Sequence, residues 1–197
     1  MNALSSTALL PVLVLGGLLA GAVWHDVRAR RIPNQLVLWG ALAGLALQAT
    51  LTPGAGLYAE PFGSLGLLSS ASGLALGLLL LLPMYALGAM GAGDVKLMAM
   101  VGAFLGPEEI VGAALFSMMA GGMLSIVAAL WQGSLRKVLG NTRVLLLNSA
   151  LRAIGGDGAQ LAAPAAPSGK LAYAIAIASG TVLYLVLVRT SGWSVLL

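Results

Sequence analysis

The chain has 197 residues, of which 59% are hydrophobic and 8% charged, with ten basic against six acidic side chains. A mean hydropathy of +0.99 exceeds what a water-soluble fold of this length could bury, which excludes a soluble globular domain and points to a membrane protein. Without cysteine there is no disulfide, thiolate nucleophile or cysteine-ligated zinc, and a single histidine excludes a multi-histidine metal site, so any catalysis falls to carboxylates, lysine or hydroxyls.

The charged residues cluster at a few places and leave apolar stretches of roughly 18 residues or more between them, each a candidate spanning helix. An isoelectric point near 9.9 would suggest nucleic acid in a soluble chain. Here the basic residues stand at the ends of apolar segments, read as topology signals, and imply no nucleic-acid partner.

A first helix is predicted from about Ala8 to Trp24. It has no basic residues before it and no small-residue cleavage site after it, so it reads as a retained span rather than a signal peptide. Asp26-Val27-Arg28-Ala29-Arg30-Arg31 follows, the densest basic cluster, and marks this end as cytoplasmic and the amino terminus as outside. Ile32-Pro33-Asn34-Gln35 restarts the chain, and Leu36 to about Leu51 crosses back, with proline suited to opening a helix. The segment Thr52 to Pro61 lies outside, and Phe62 to Leu82 returns inward and stops at Pro83. The glycine-rich stretch Met84 to Gly93 leads into Asp94-Val95-Lys96, after which Leu97 to Leu105 runs outward to the acidic turn Gly106-Pro107-Glu108-Glu109. Ile110 to Trp131 crosses inward to Arg136, Lys137, Arg143 and Arg152. Residues 135–154 are imperfectly amphipathic and lie in the interface or enter the bundle. Gly155 to Gly169 reads as a loop, and Leu171 to Val188 as the last span, with Arg189 a mild exception to the charge rule.

The expectation is therefore an all-α, polytopic membrane bundle of about six transmembrane helices, forming one domain over residues 1–197. Parity carries the functional argument. Asp26 ends the first helix going in and Asp94 opens the fourth going out, so both carboxylates face the cytoplasmic boundary.

Carboxylates near a hydrocarbon core are costly and face water, a partner or the bundle interior, which makes them functional candidates. Two of them within reach of each other share one proton, the arrangement of aspartic peptidases: one member takes a proton from water while the other polarises the peptide carbonyl. No metal, cofactor or covalent intermediate is needed. Gly88-Ala89-Met90-Gly91-Ala92-Gly93 adds backbone freedom and room for an extended peptide, so Gly91 and Gly93, with Lys96 beside them, form the candidate substrate-binding set. Other readings stand beside these. Asp94 is equally suited to capping a helix, Asp26 to an ion pair with Arg28, Arg30 or Arg31 at a wet helix end, and Lys96 to snorkelling toward the interface. His25 reads as an interface residue.

Gly91-Ala92-Gly93-Asp94-Val95-Lys96-Leu97-Met98 resembles the GxGD-x-K signature of type IV prepilin peptidases. The segment Asp26 to Asn34 resembles that family's first catalytic motif, an aspartate followed by basic residues and an I-P-N turn. The resemblance implies that Asp26 and Asp94 are catalytic. It also implies that the chain removes the short basic leader of prepilins or pseudopilins at the cytoplasmic surface of the bacterial inner membrane, beside pilus assembly machinery. Long members of the family carry a cytoplasmic domain, often with two zinc-binding CxxC pairs, and also methylate the new amino terminus. Neither that domain nor a cysteine lies within these residues, so the chain is most similar to the short, peptidase-only branch of tight-adherence (Flp) pili, with no methyltransferase activity expected. Two other classes fit the composition: a small proton-coupled transporter relaying through Asp94, Lys96 and Asp26, and a structural subunit of a pilus or secretion assembly. Peptidases of the presenilin-like class share the GxGD chemistry but match the I-P-N segment less well.

Overall fold

A computed structural model describes residues 3–50, 66–88, 90–131 and 172–191, with the single positions 140, 143 and 147. The described residues are helical: α1 Ala3–Ala29, α2 Asn34–Thr50, α3 Leu67–Ala86, α4 Ala92–Trp131 and α5 Tyr173–Ser191. Among the described residues, three stretches are long and apolar enough to cross a membrane, Leu10–Ala29, Leu67–Ala86 and Ala92–Ala128, and Tyr173–Val188 is a shorter apolar helix. Most of the expected interfacial segment 135–154 and the outer segment 52–61 lie outside the described residues. Two compact units divide the chain, Met1–Gly121 with Ala172–Leu197, and Gly122–Leu171. The first contains both Asp26 and Asp94.

Several helix boundaries differ from expectation. The first helix continues past Trp24 to Ala29, so Asp26 is inside it. At Pro83 the predicted stop comes one turn late, because proline forfeits only its own N–H: Leu87 still donates to the Pro83 carbonyl at 3.0 Å and Gly88 to Tyr85 at 2.9 Å. Gly88 then takes φ +72°, a left-handed cap that glycine adopts without strain. The acidic turn is a break of one residue, Gly106, at φ 80° and ψ 177°. Pro107 restarts the helix with a φ already suited to its first turn.

Small residues bring the helices together. Gly21 faces Leu36 and Gly40 faces Leu18, so α1 and α2 run antiparallel. Gly40 and Gly44 also face Met100 and Phe104 of α4, while Gly77 and Gly73 of α3 face Met98 and Gly102 in the opposite sense. The first half of α4 is thus the centre of the unit, with Leu97, Met98, Met100, Val101 and Phe104 fully buried. Several buried polar side chains close onto backbone carbonyls, while the buried Thr181 hydroxyl has no hydrogen-bond partner among the described residues. Gln48 donates to Phe104 O at 2.7 Å, and Ser70 to Ala103 O at 2.5 Å.

Beyond Gly106, α4 packs antiparallel to α5, with Gly112 under Tyr184, Ser117 against Gly180 and Gly121 under Tyr173. The Tyr184 hydroxyl donates a short hydrogen bond to Glu109, and its ring lies 5.7 Å from that of Phe116. Tyr184→Phe keeps the ring contacts and strips Glu109 of its donor. The expected loss is about 1–3 kcal/mol of stability, measured as a lower thermal midpoint of the detergent-solubilised protein.

Candidate active site

Asp26 lies in the last turn of α1. It is only 7% exposed, less open to water than the wet helix end that the ion-pair reading assumed. Its Oδ2 accepts the N–H of Ala174, the second residue of α5, at 3.0 Å. That amide is one of the orphan donors that every helix start leaves unpaired, so Asp26 caps, from another helix, a segment 148 residues away. Arg28, one of the basic residues considered as its partner, lies over the Trp24 ring at 4.0 Å.

Asp94 is the third residue of α4. Gly91 takes the cap position: its carbonyl accepts from the N–H of Asp94 at 3.1 Å and of Val95 at 3.4 Å. The Asp94 carboxylate reaches back, Oδ2 accepting the Gly91 N–H at 3.1 Å, the reciprocal half of a capping box. The capping alternative is therefore realised, with Asp94 in the third helical position rather than the cap itself. The bond to Gly91 uses only Oδ2. A Cβ on Gly91 would stand 3.1 Å from Asp94 Oδ2, so a side chain there would have to displace the carboxylate by a few tenths of an ångström.

The two acidic residues come together on one cavity of about 680 Å³, lined by His25 and Asp26, by Ala29 to Asn34, and by Gly91 to Asp94 with Lys96. The wall is built from the two segments that the sequence singled out, and they touch. A Cβ on Gly93 would stand 3.4 Å from Ile32 Cβ, and Lys96 Nζ donates to Asn34 Oδ1 at 3.2 Å. Lys96 is exposed and its bond is to Asn34, not to Asp94, as expected of positions two apart on a helix. Among the described residues no group of three His, Cys, Asp or Glu side chains could hold a metal.

Sequence reasoning expected a span over Leu171 to Val188 but missed the contribution of this helix, α5, to the site. The amide of Ala174 holds Asp26. A backbone donor at the start of an apolar helix has no side-chain signature, so no motif could have announced it.

The model of the type IV leader peptidase family matches residues 13–126, a range containing Asp26 and Asp94 and ending before α5. A prepilin leader peptidase/N-methyltransferase of Myxococcus xanthus (strain DK1622) is 33% identical over 132 residues, covering 64% of this chain and 36% of the relative. The chain thus spans little more than a third of the length of that curated relative. No solved structure matches this chain.

Proposed function

Because this chain belongs to the type IV leader peptidase family, we propose that it is a membrane-embedded aspartic endopeptidase that removes the basic leader of prepilins or pseudopilins through an Asp26/Asp94 dyad. The observation that carries this reading is the convergence of both carboxylates on one cavity walled by the two motif segments. An extended peptide lies along Gly91 and Gly93, with Lys96 at the side of the cavity. The ionised carboxyl takes a proton from a water molecule as its oxygen adds to the scissile carbonyl carbon. The protonated carboxyl gives its proton to the carbonyl oxygen. Collapse of the tetrahedral diol breaks the C–N bond, the amine leaves with a proton, and the dyad again holds one proton between its two members. Methyl transfer, the second activity in the relative's name, is not part of the proposal.

The proposed setting is the bacterial inner membrane, with about six spans and the dyad at the cytoplasmic face. Supporting this, the 37-residue apolar stretch Ala92–Ala128 is broken at Gly106, which suits two passes joined at an acidic turn. The chain has no cysteine of its own, so single cysteines report sidedness. A membrane-impermeant maleimide added to spheroplasts is expected to label Glu108→Cys and to spare Ala29→Cys until the membrane is opened. The reverse pattern overturns the orientation.

The activity itself is tested by co-expressing a prepilin with the wild-type chain, following the gel shift and sequencing the new amino terminus. A mature product beginning at the leader junction supports the peptidase. An uncut precursor in the presence of well-expressed protein removes it, and favours a transporter or scaffold.

A further inference from the structure

Asn34 is the first residue of α2 and stands on the cavity wall with both acidic residues. Its Oδ1 accepts from Lys96 Nζ at 3.2 Å. An ammonium group only donates, so the amide atom facing it is the oxygen, and the orientation of a side chain that could otherwise flip is fixed. The amide nitrogen, with two N–H donors, is turned away from Lys96 and has no protein partner among the described residues. Of the wall's other donors, the Gly91 N–H is committed to Asp94 and one N–H of the Lys96 ammonium to Asn34, while His25, Arg30 and Arg31 also line the cavity.

An extended peptide needs donors of this kind. Its carbonyls, unlike those of a helix, are not satisfied internally, and a carbonyl taken out of water without a partner costs binding free energy. We propose that Asn34 is a substrate-contacting residue whose side-chain NH₂ donates to a main-chain carbonyl of the peptide in the cavity, and that Lys96 is the positioning residue that keeps this amide turned. The inference rests on the peptidase reading and deepens it. It also gives the two motif segments a joint task, since Lys96 belongs to one and Asn34 to the other. Ile32 lies beside Gly93, where an added Cβ would stand 3.4 Å from it, so losing the Lys96 bond is expected to free the amide without opening the wall.

The test is steady-state cleavage, by the purified full chain, of a synthetic peptide spanning a leader and the start of the mature helix. Asn34→Asp is nearly isosteric and keeps a partner for Lys96, yet has no N–H to offer. A bond made equally in ground and transition states shows in KM, so Asn34→Asp and Asn34→Ala are each expected to raise KM about tenfold with kcat within about threefold of wild type. Lys96→Met is expected to raise KM about threefold and Lys96→Arg to leave it within about twofold, because arginine also only donates. An Asn34→Asp enzyme with wild-type KM overturns the inference, since the bond to Lys96 alone would then be what matters. So does equal KM for Lys96→Met and Lys96→Arg, and that pair decides the question if Asn34→Asp fails to fold. A wild type that leaves the peptide intact defeats the peptidase reading and this inference with it. A cleaving wild type with an unaffected Asn34→Asp defeats only the inference.

Discussion

Asp26→Asn and Asp94→Asn are each expected to leave a co-expressed prepilin uncut, a loss of at least about 10²-fold, while the protein stays at its normal level in the membrane. Asparagine separates chemistry from architecture at both positions. Asp26 holds the Ala174 N–H and Asp94 the Gly91 N–H through single carboxylate oxygens, and an amide oxygen can accept either bond. What asparagine cannot do is exchange a proton with water or with the peptide carbonyl. Alanine removes the caps as well, so Asp26→Ala and Asp94→Ala should show the same loss of cleavage plus a lower thermal midpoint, by about 1 kcal/mol for a lost cap. Cleavage at the normal rate by either asparagine variant would mean that the carboxylates serve only as caps. Both acidic residues sit in structural hydrogen bonds, and capping alone would also explain their presence, so the asparagine and alanine variants must be compared side by side.

The site is legible in sequence to this extent because its parts are marked in side chains and in parity. Charges are rare, so Asp26 and Asp94 stand out, and counting apolar crossings puts them at the same boundary without any contact being known. Helix ends are less legible. Pro83, the expected stop of α3, lies one turn before its end at Ala86, since a proline blocks the bond behind it and leaves those ahead free. Least legible is α5 at the site: its contribution is the Ala174 amide, an atom type nearly every residue has, and the distance along the chain from Asp26 leaves no local pattern. The Lys96 to Asn34 bond is invisible for a related reason. Each residue has an adequate local reading, one as an interfacial cation and the other as part of a turn, and only the fold sets them face to face.

Gly102→Val is expected to be the most damaging change away from the dyad, and Gly73→Val its counterpart. A Cβ on Gly102 would collide with the Gly73 carbonyl oxygen, and one on Gly73 would collide with that of Gly102. Both obstacles are backbone, so no rotamer change relieves them and α3 must move off α4. In a membrane this separation forfeits the close packing that holds such helices, because lipid offers no hydrophobic penalty for coming apart. The expected cost is about 4 kcal/mol or more, seen as poor recovery of folded protein and a collapsed thermal midpoint. Cleavage should fail too, since Asp94 rides on the same helix as Gly102. Composition alone could not single these positions out among the 27 glycines of the chain. A Cβ at Gly16 or Gly17 of α1 would meet nothing within 4 Å, and alanine there should stabilise by up to about 1 kcal/mol through helix propensity. If Gly102→Val proved as harmless as Gly16→Ala, α3 and α4 could not be in backbone contact, and the central place of α4 in the unit would fall with it.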